Sequence, residues 1–152
     1  MSFTIHPYTR ERIPDVLDFE RRLRQEEDFW GWEIDDAYIQ AVERSFGDSA
    51  FDQAVSLLAY EGETVVGRID AALIPSRFDG STKAYLDWLC VLKSRRHHGV
   101  AQQLMESLRA ELKARGIATL VALTAANEEA QRFYRSVQHA QMRDTGIWID
   151  IF

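Results

Sequence analysis

The stretch of residues 83–124 constrains the fold more than any other part of the sequence. Residues 83–91 are rich in leucine, valine and tyrosine and predict a strand. A polar loop follows, and from Val100 to Leu112 apolar residues recur at helical spacing. Residues 119–124 predict a second strand. A strand, helix and strand of this length form a crossover unit, so the two strands should lie parallel in one sheet.

The rest of the chain predicts antiparallel strands and further helices. Residues 54–60 and 64–74 are strand-like, and the intervening Glu61-Gly62-Glu63 is typical of a tight turn, so these two strands should be antiparallel neighbours. The other predicted elements are a first strand at 3–6, helices at 14–24, 35–44 and 128–137, and a last strand at 146–152. The sequence therefore predicts an α/β fold with a mixed sheet flanked by helices.

Composition bears on domain count and location. With 152 residues, of which 46% are hydrophobic, the chain has the size of one compact domain, residues 1–152. No apolar stretch approaches the roughly 20 residues of a membrane span, and the N-terminus lacks the apolar run of a signal peptide. The single cysteine, Cys90, cannot form an internal disulfide, which agrees with a reducing compartment. We therefore expect a cytoplasmic protein that does not bind membranes.

The charge pattern argues against nucleic acid as a partner and favours two differently charged sites. The formal net charge is −6, whereas phosphate contacts over a whole surface need an excess of lysine and arginine. Positive charge is concentrated in Lys93, Arg95 and Arg96. Negative charge is concentrated in an early stretch of six carboxylates: Glu26, Glu27, Asp28, Glu33, Asp35 and Asp36.

The loop before Val100 has the features of an anion site. The first backbone N–H groups of a helix have no partner within it, and the helix dipole places about half a positive charge there. Gly99 lets a ligand approach the backbone, and the neighbouring lysine and arginines add mobile positive charge. From this loop alone, a second interpretation has equal weight, in which Gly99 merely starts a helix and the basic side chains are solvated.

Two motifs in this region occur in a fixed order. The first is Val91 followed by Arg96-His97-His98-Gly99-Val100-Ala101, and the second consists of Asn127, Ala130 and Phe133-Tyr134. Together they resemble the GNAT superfamily of acyl-CoA-dependent N-acyltransferases. In that family a strand ends in valine, Arg/Gln-x-x-Gly-x-Gly/Ala opens the next helix, and an asparagine, an alanine and a Phe-Tyr pair follow at fixed offsets. The pair of motifs spans roughly a third of the chain and is more specific than the loop motif alone.

The resemblance implies a fold and a cofactor site. The fold would be a mixed, mostly antiparallel sheet of six to seven strands with about four helices, splayed between the fourth and fifth strands. Acetyl-CoA would be the cosubstrate, and no metal would be required. Backbone N–H groups from His97 to Gln102 would hold the pyrophosphate, and Asn127 would bind the pantetheine region. The residues implied in cofactor binding are Leu89, Cys90, Val91, Arg96, His97, His98, Gly99, Val100, Ala101, Gln102, Asn127 and Tyr134.

The resemblance also implies catalytic roles. Tyr134 would return a proton to the departing thiolate, a transfer that is uphill by about 2 kcal/mol for unperturbed groups. An aromatic residue on the buried face of an amphipathic helix is the structural alternative. Asp87 lies near a position where many members carry a carboxylate that helps to deprotonate the amine. It would need to act through water or gain basicity by desolvation.

The chain departs from the family pattern at three places. The glutamate that another branch uses, five residues before the asparagine, is Ala122 here. The Gly-Phe pair that commonly follows Phe-Tyr is replaced by Gln138-His139, so the turn after the helix should differ. Only Arg143 to Phe152 are left to form what is often a hairpin in the family, so the C-terminal edge of the sheet is either short or paired with another subunit. A homodimer is therefore among the partners to test.

Several conspicuous residues have simpler interpretations. Cys90 lies in an apolar strand and is interpreted as a core residue rather than a nucleophile. His97 and His98 are adjacent, which is a poor arrangement for binding one metal ion. Phe29, Trp30 and Trp32 either pack between helices or form a wall of the acceptor site.

The sequence thus predicts an N-acetyltransferase that moves an acetyl group from acetyl-CoA to a primary amine by direct attack. The acidic stretch at residues 26–36 would favour a cationic acceptor, either a small molecule or a peptide. Such a stretch is otherwise simply solvated. The alternative from another class is a non-catalytic, CoA-binding regulatory module of the same fold.

Overall fold

The structure is a computed structural model that describes residues 2–28 and 32–151. Phe29 and Trp30 of the aromatic group lie outside these residues. The chain forms two compact units, Met1–Val121 and Ala122–Phe152. Among the described residues, no helix combines the length and the hydrophobicity that crossing a membrane requires.

The sheet of the described residues has five strands in the order of the sequence. The strands are β1 (Thr4–Pro7), β2 (Val55–Glu61), β3 (Thr64–Pro75), β4 (Thr82–Val91) and β5 (Leu120–Ala122). The first four are joined by antiparallel pairing. The predicted α/β fold with a mixed sheet is confirmed, although the sheet has fewer strands than the predicted six to seven.

Four α-helices accompany the sheet in the described residues, as predicted. They are α1 (Ile13–Glu26), α2 (Asp36–Ser45), α3 (Val100–Ala114) and α4 (Glu128–Ser136). Pro14 lies in the first turn of α1, where its missing N–H costs no hydrogen bond. Asp35 caps α2, because its carboxylate accepts a hydrogen bond of 2.8 Å from the Tyr38 backbone N–H.

Helices α1 and α3 pack on opposite faces of the sheet. Gly67 and Arg68 are neighbours on β3, so their Cα substituents point to opposite faces. A Cβ at Gly67 would lie within 3.2 Å of α3 side chains, whereas Arg68 makes an ion pair of 3.2 Å with Glu20 of α1. The core therefore consists of two layers, one on each side of β3.

The predicted last strand at residues 146–152 is wrong for the residues described, since none of 146–151 forms a strand. Ile147, Trp148, Ile149 and Ile151 are each at least 74% exposed, so neither sheet pairing nor core packing holds the segment. The apolar, β-branched sequence that favours a strand is not sufficient without a neighbouring strand to complete its hydrogen bonds.

Gly67 sets how closely α3 approaches the sheet. We expect Gly67→Ala to lower the free energy of unfolding by about 1–3 kcal/mol, because a new Cβ would lie 3.0 Å from Val100 Cγ1 and 3.2 Å from the Cys90 carbonyl oxygen. Gly47→Ala is the matched control, since its Cβ would meet other atoms only at 3.4 Å and beyond. Urea denaturation of both variants measures the difference. Equal stability of the two variants would contradict the close packing at Gly67.

Candidate active site

The loop between β4 and α3 presents an uncapped helix end. Gly99 has φ 84 in the left-handed region, and α3 begins at the next residue without a side-chain hydrogen bond to its first turn. His97 also has positive φ, at 64. A Cβ at Gly99 would meet no atom within 4 Å, so the space in front of the helix end is open. The free N–H groups of this turn therefore face a region that an anion can enter.

The arginines of this loop are held by carboxylates. Arg96 binds Glu27, which follows α1, through two hydrogen bonds of 2.8 and 3.0 Å. Arg95 Nε donates to Glu61 at 2.6 Å. The prediction that these two arginines supply mobile positive charge is therefore wrong, because both guanidinium groups are committed to ion pairs that fix the loop.

Helix α1 also anchors the loop through Ser94. The backbone N–H and the hydroxyl of Ser94 both donate to the Glu26 carboxylate, at 3.1 and 2.6 Å. Burial opposes the charge on Glu26, but these hydrogen bonds outweigh it and hold the pKa of Glu26 below its ordinary value. Glu26 and Glu27, two consecutive residues of the predicted acidic stretch, thus bind the basic loop between β4 and α3.

Strand β4 is longer than β5, so the C-terminal part of β4 extends beyond it. Strand β5 has three residues beside the ten of β4, and the Ala84 N–H donates to the Thr119 carbonyl at 2.9 Å. At the other end of β4, the Leu92 N–H donates to Val66 of β3 at 2.9 Å. Since N–H groups alternate along a strand, the N–H groups of Leu89 and Val91 point away from β3 and that of Cys90 points toward it.

Asp87 lies at a β-bulge. Asp70 of β3 is opposite Trp88, but the next residue, Ala71, is opposite Leu86, which leaves Asp87 as the extra residue. Neighbours on a regular strand point to opposite faces, whereas Asp87 and Trp88 line the same cleft. The bulge therefore turns the Asp87 side chain, which is exposed, toward that cleft.

This cleft has a volume of about 590 Å³ and is strongly acidic. Five carboxylates and a single guanidinium line it, together with two tryptophans. The ionisable residues are Glu20, Glu33, Asp35, Asp70, Asp87 and Arg68. Trp32 and Trp88 meet edge to face, with ring centroids 5.5 Å apart. Such a lining is suited to a cationic ligand with an apolar part.

A buried ion cluster forms the base of the cleft. The Arg68 guanidinium donates to both oxygens of Asp70, at 2.7 and 3.0 Å, and to Glu20 Oε1 at 3.2 Å. Tyr38 donates its hydroxyl proton to the same Glu20 oxygen at 2.7 Å, and Ser56 donates to Asp70 at 2.6 Å. Glu20 is only 3% exposed. Through these contacts, one cluster of charged side chains connects α1, α2 and the sheet.

Sequence reasoning missed this cluster, although two signals were present. Glu20 interrupts the apolar face of α1, which carries Val16, Leu17 and Leu23. Arg68 and Asp70 are two residues apart in an otherwise apolar strand, so they share one face of the sheet. Charged residues at positions expected to be buried are seldom found without a partner. Their occurrence on two elements could have predicted a pairing.

The second unit carries the other motif. The Asn127 side-chain oxygen caps α4 by accepting a hydrogen bond of 2.8 Å from the Ala130 N–H. This leaves its amide N–H groups available as donors. Tyr134 is half-buried in α4 and lies edge to face with Phe133 at 5.3 Å. Burial raises the pKa of Tyr134, so the side chain keeps its proton at neutral pH.

The turn after α4 departs from a regular helix end. His139 has φ 67, in the left-handed region that glycine adopts at the lowest cost. The preceding residue, Gln138, stands where the family commonly has glycine. In this chain His139, and not Gln138, has the positive φ.

Cys90 is 7% exposed, and burial raises its pKa to about 12. The Cys90 thiol is therefore protonated and lies in the core, as predicted from the apolar strand. The Cys90 main chain is part of β4. Among the described residues, no group of three or more histidine, cysteine, aspartate or glutamate side chains could hold a metal ion.

The described residues thus form a mixed sheet with a bulged fourth strand, and the helix after that strand begins directly behind a left-handed glycine without a side-chain cap. Residues 3–139 match the sequence model of the acetyltransferase (GNAT) family. The chain therefore belongs to the GNAT family. A search of curated proteins gave no match.

Solved structures with this fold cover nearly the whole chain. An aminoglycoside acetyltransferase from an uncultured soil metagenomic sample, in complex with trehalose, has a TM-score of 0.82 at 14% identity, covering 99% of this chain and 97% of that one. A predicted acetyltransferase with acetyl-CoA from Clostridium acetobutylicum has a TM-score of 0.70 at 18% identity, covering 99% and 96%. A transcriptional regulator from Bacillus halodurans has a TM-score of 0.80 at 19% identity, covering 99% and 100%. At these identities the likeness establishes the fold.

The buried thiol gives a direct test of the interior around β4. Because burial raises the pKa of Cys90 to about 12, we expect iodoacetamide to alkylate the native protein at least ~100-fold more slowly than the urea-denatured protein at neutral pH. Mass spectrometry measures the reaction of this single cysteine without interference from others. Equal rates in the two states would contradict the burial of the thiol.

Proposed function

We propose that this protein is an N-acetyltransferase that transfers the acetyl group of acetyl-CoA to a primary amine. The observation that carries the proposal is the uncapped, open start of α3 behind the left-handed Gly99, in a chain that belongs to the GNAT family. Acetyl-CoA supplies an activated acetyl thioester and a pyrophosphate that needs backbone donors. The free first turn of α3 fits that need.

Cofactor binding rests mainly on the backbone. The N–H groups from His97 to Gln102 would bind the pyrophosphate, in keeping with the open space at Gly99. Arg96 would contribute through its main chain and by fixing the loop, since its guanidinium group is occupied by Glu27. The outward carbonyl oxygen of Leu89 and the outward N–H of Val91 would pair with the pantetheine arm as an added strand does. Asn127 would donate an amide hydrogen to the same arm.

An outward N–H of β4 would stabilise the oxygen of the acetyl carbonyl as negative charge develops on it. The alternation of N–H directions selects Leu89 over Cys90 for this role, because the Cys90 N–H points to β3. Fixed backbone dipoles of this kind are an effective source of transition-state stabilisation.

Proton transfer is assigned to two side chains. An ammonium acceptor first releases one proton to solvent. The neutral amine nitrogen then forms its bond to the acetyl carbon while the carbon–sulfur bond breaks, so a second proton leaves the nitrogen and one proton reaches the sulfur. Tyr134 would donate to the sulfur, and its raised pKa keeps the donor protonated. Asp87 would receive the amine proton. Because Asp87 is exposed, relay through water is favoured over direct transfer to a desolvated carboxylate.

The acidic cleft supports a cationic acceptor, as a small molecule or a peptide. Its five carboxylates outnumber its one guanidinium, and Asp87 lies in the same lining. An ammonium group would therefore be attracted to the side chain assigned to deprotonate it. The aminoglycoside acetyltransferase with a similar fold acts on a cationic substrate class, which agrees with this assignment.

A non-catalytic, CoA-binding regulatory module is the second candidate. The structural similarity to a transcriptional regulator favours it, since that protein shares the fold along its whole length. A regulatory module would keep the cofactor loop and would have no turnover. Release of free thiol from acetyl-CoA, measured across a panel of primary amines, distinguishes the two candidates.

Cofactor binding should stabilise the folded protein. At about a hundredfold excess over its dissociation constant, acetyl-CoA should add about 2.7 kcal/mol, which for this size raises the melting temperature by about 5–11 °C. Gly99→Val should abolish most of this shift, because a β-branched residue resists the φ of 84. Differential scanning fluorimetry measures both. An unchanged melting temperature of the unaltered protein would refute the cofactor site.

The role of Tyr134 is tested by removing its hydroxyl. We expect Tyr134→Phe to lower kcat about 100-fold while the Kd for acetyl-CoA changes little, since only the proton donor is lost. Tyr85→Phe, on β4, is the control for loss of a tyrosine hydroxyl outside the proposed site. Steady-state kinetics and calorimetry give the two quantities. Full turnover in the Tyr134 variant would remove this residue from the mechanism.

A further inference from the structure

We propose that Glu20 selects acceptors that carry a second ammonium group besides the one that is acetylated. The proposal deepens the proposed function, because it names the substrate class of the same acidic cleft. The ligand class is a flexible diamine or polyamine with two positive charges separated by an apolar chain.

The buried cluster at the base of the cleft has one uncompensated negative charge. Glu20 and Asp70 contribute two carboxylates, and Arg68 contributes one guanidinium. The Tyr8 ring lies 5.2 Å from the Arg68 guanidinium carbon. Burial raises the pKa of Tyr8 to about 12 and also raises that of Tyr38, so both phenols stay neutral. The formal charges of the two carboxylates and the guanidinium sum to −1. A single additional cation would neutralise it.

The hydrogen bonds show where that cation would bind. Glu20 Oε1 accepts from Tyr38 and Arg68, whereas Glu20 Oε2 has no hydrogen-bond partner among the described residues. Arg24, on the same helix, donates to the backbone carbonyls of Glu20 and Trp32 instead of to the carboxylate. A buried carboxylate oxygen without a partner is costly, and an ammonium group offers three donors.

The position of Glu20 in the cleft makes it accessible to one end of a ligand. Glu20 lines the cleft together with Asp87, Trp32 and Trp88. Glu20 is itself part of the cleft lining, so an ammonium group that enters the cleft reaches the residue that carries the unpartnered Oε2. The tryptophans would contact the apolar chain between the two charges and would attract the ammonium group through their rings. An amine with one charge could satisfy Asp87 or Glu20, but not both.

Matched pairs of amines test the proposal on the unaltered protein. The experiment measures kcat/KM with acetyl-CoA for α,ω-diaminoalkanes and for monoaminoalkanes of the same lengths. We expect at least one diamine to exceed its monoamine about tenfold or more, because only the diamine meets both carboxylates. Equal kcat/KM within every pair would overturn the proposal, while the acetylation itself would still support the proposed function.

A charge-removing variant assigns the preference to Glu20. Glu20→Gln keeps the shape and should reduce the diamine-to-monoamine ratio about tenfold. Asp18→Asn is the matched control, because it removes the same charge from an exposed position on α1, with 74% side-chain exposure, and Asp18 is not part of the cleft lining. A ratio that stays unchanged in Glu20→Gln, or falls equally in both variants, would overturn the proposal.

Calorimetric measurement of the binding of the same amines distinguishes a failure of the proposed function from a failure of the proposed role of Glu20. If no amine is acetylated, the proposed function fails, but tighter binding of the diamine than of the monoamine would still support the role of Glu20. Equal binding of both would overturn it. If Glu20→Gln does not fold, as judged by its thermal melting, the comparison of amine pairs on the unaltered protein decides the question.

Discussion

The Arg68 guanidinium lies between the carboxylates of Glu20 and Asp70, and the arrangement of the side of the sheet that α1 covers depends on this buried charge. Arg68 needs partners because an isolated ion in the interior is costly. It obtains one from its own strand and one from α1, so the helix cannot slide along the sheet without leaving a charge unpaired. Tyr38 brings α2 to the same carboxylate. The acidic cleft lies beside these side chains, which form its base.

Helix α1 links this cluster to the loop between β4 and α3. Near its C-terminus, Glu26 and Glu27 hold Ser94 and Arg96. The helix that forms one wall of the acidic cleft thereby also positions the turn that enters α3. Gly67 of β3 brings α3 close to the other face of the sheet, so α1 holds the loop before α3 while β3 packs against the first turns of the helix itself. The rigid scaffold suits a site that depends on backbone N–H geometry.

Much of the fold and of the local structure around Gly99 was predictable. Helical spacing and strand composition located all four helices and the five observed strands to within a few residues, and the motif around Gly99 identified the open helix start. The predictions failed where long-range contacts decide. Residues 146–152 have the composition of a strand but lack a neighbour, and the charges of Arg95 and Arg96 are taken up by carboxylates about 34 and 69 residues away in the chain.

The sequence by itself determined the order of the elements, the family and the residue types at the start of α3, because periodicity and local motifs are properties of neighbouring residues. Only the tertiary structure decided that Asp87 turns into the cleft through a bulge, that Glu20 joins Arg68, and that one Glu20 oxygen has no partner in the described part of the chain. Register, ion pairing and burial depend on residues distant in the chain. Their geometry is fixed only when α1 packs on the sheet.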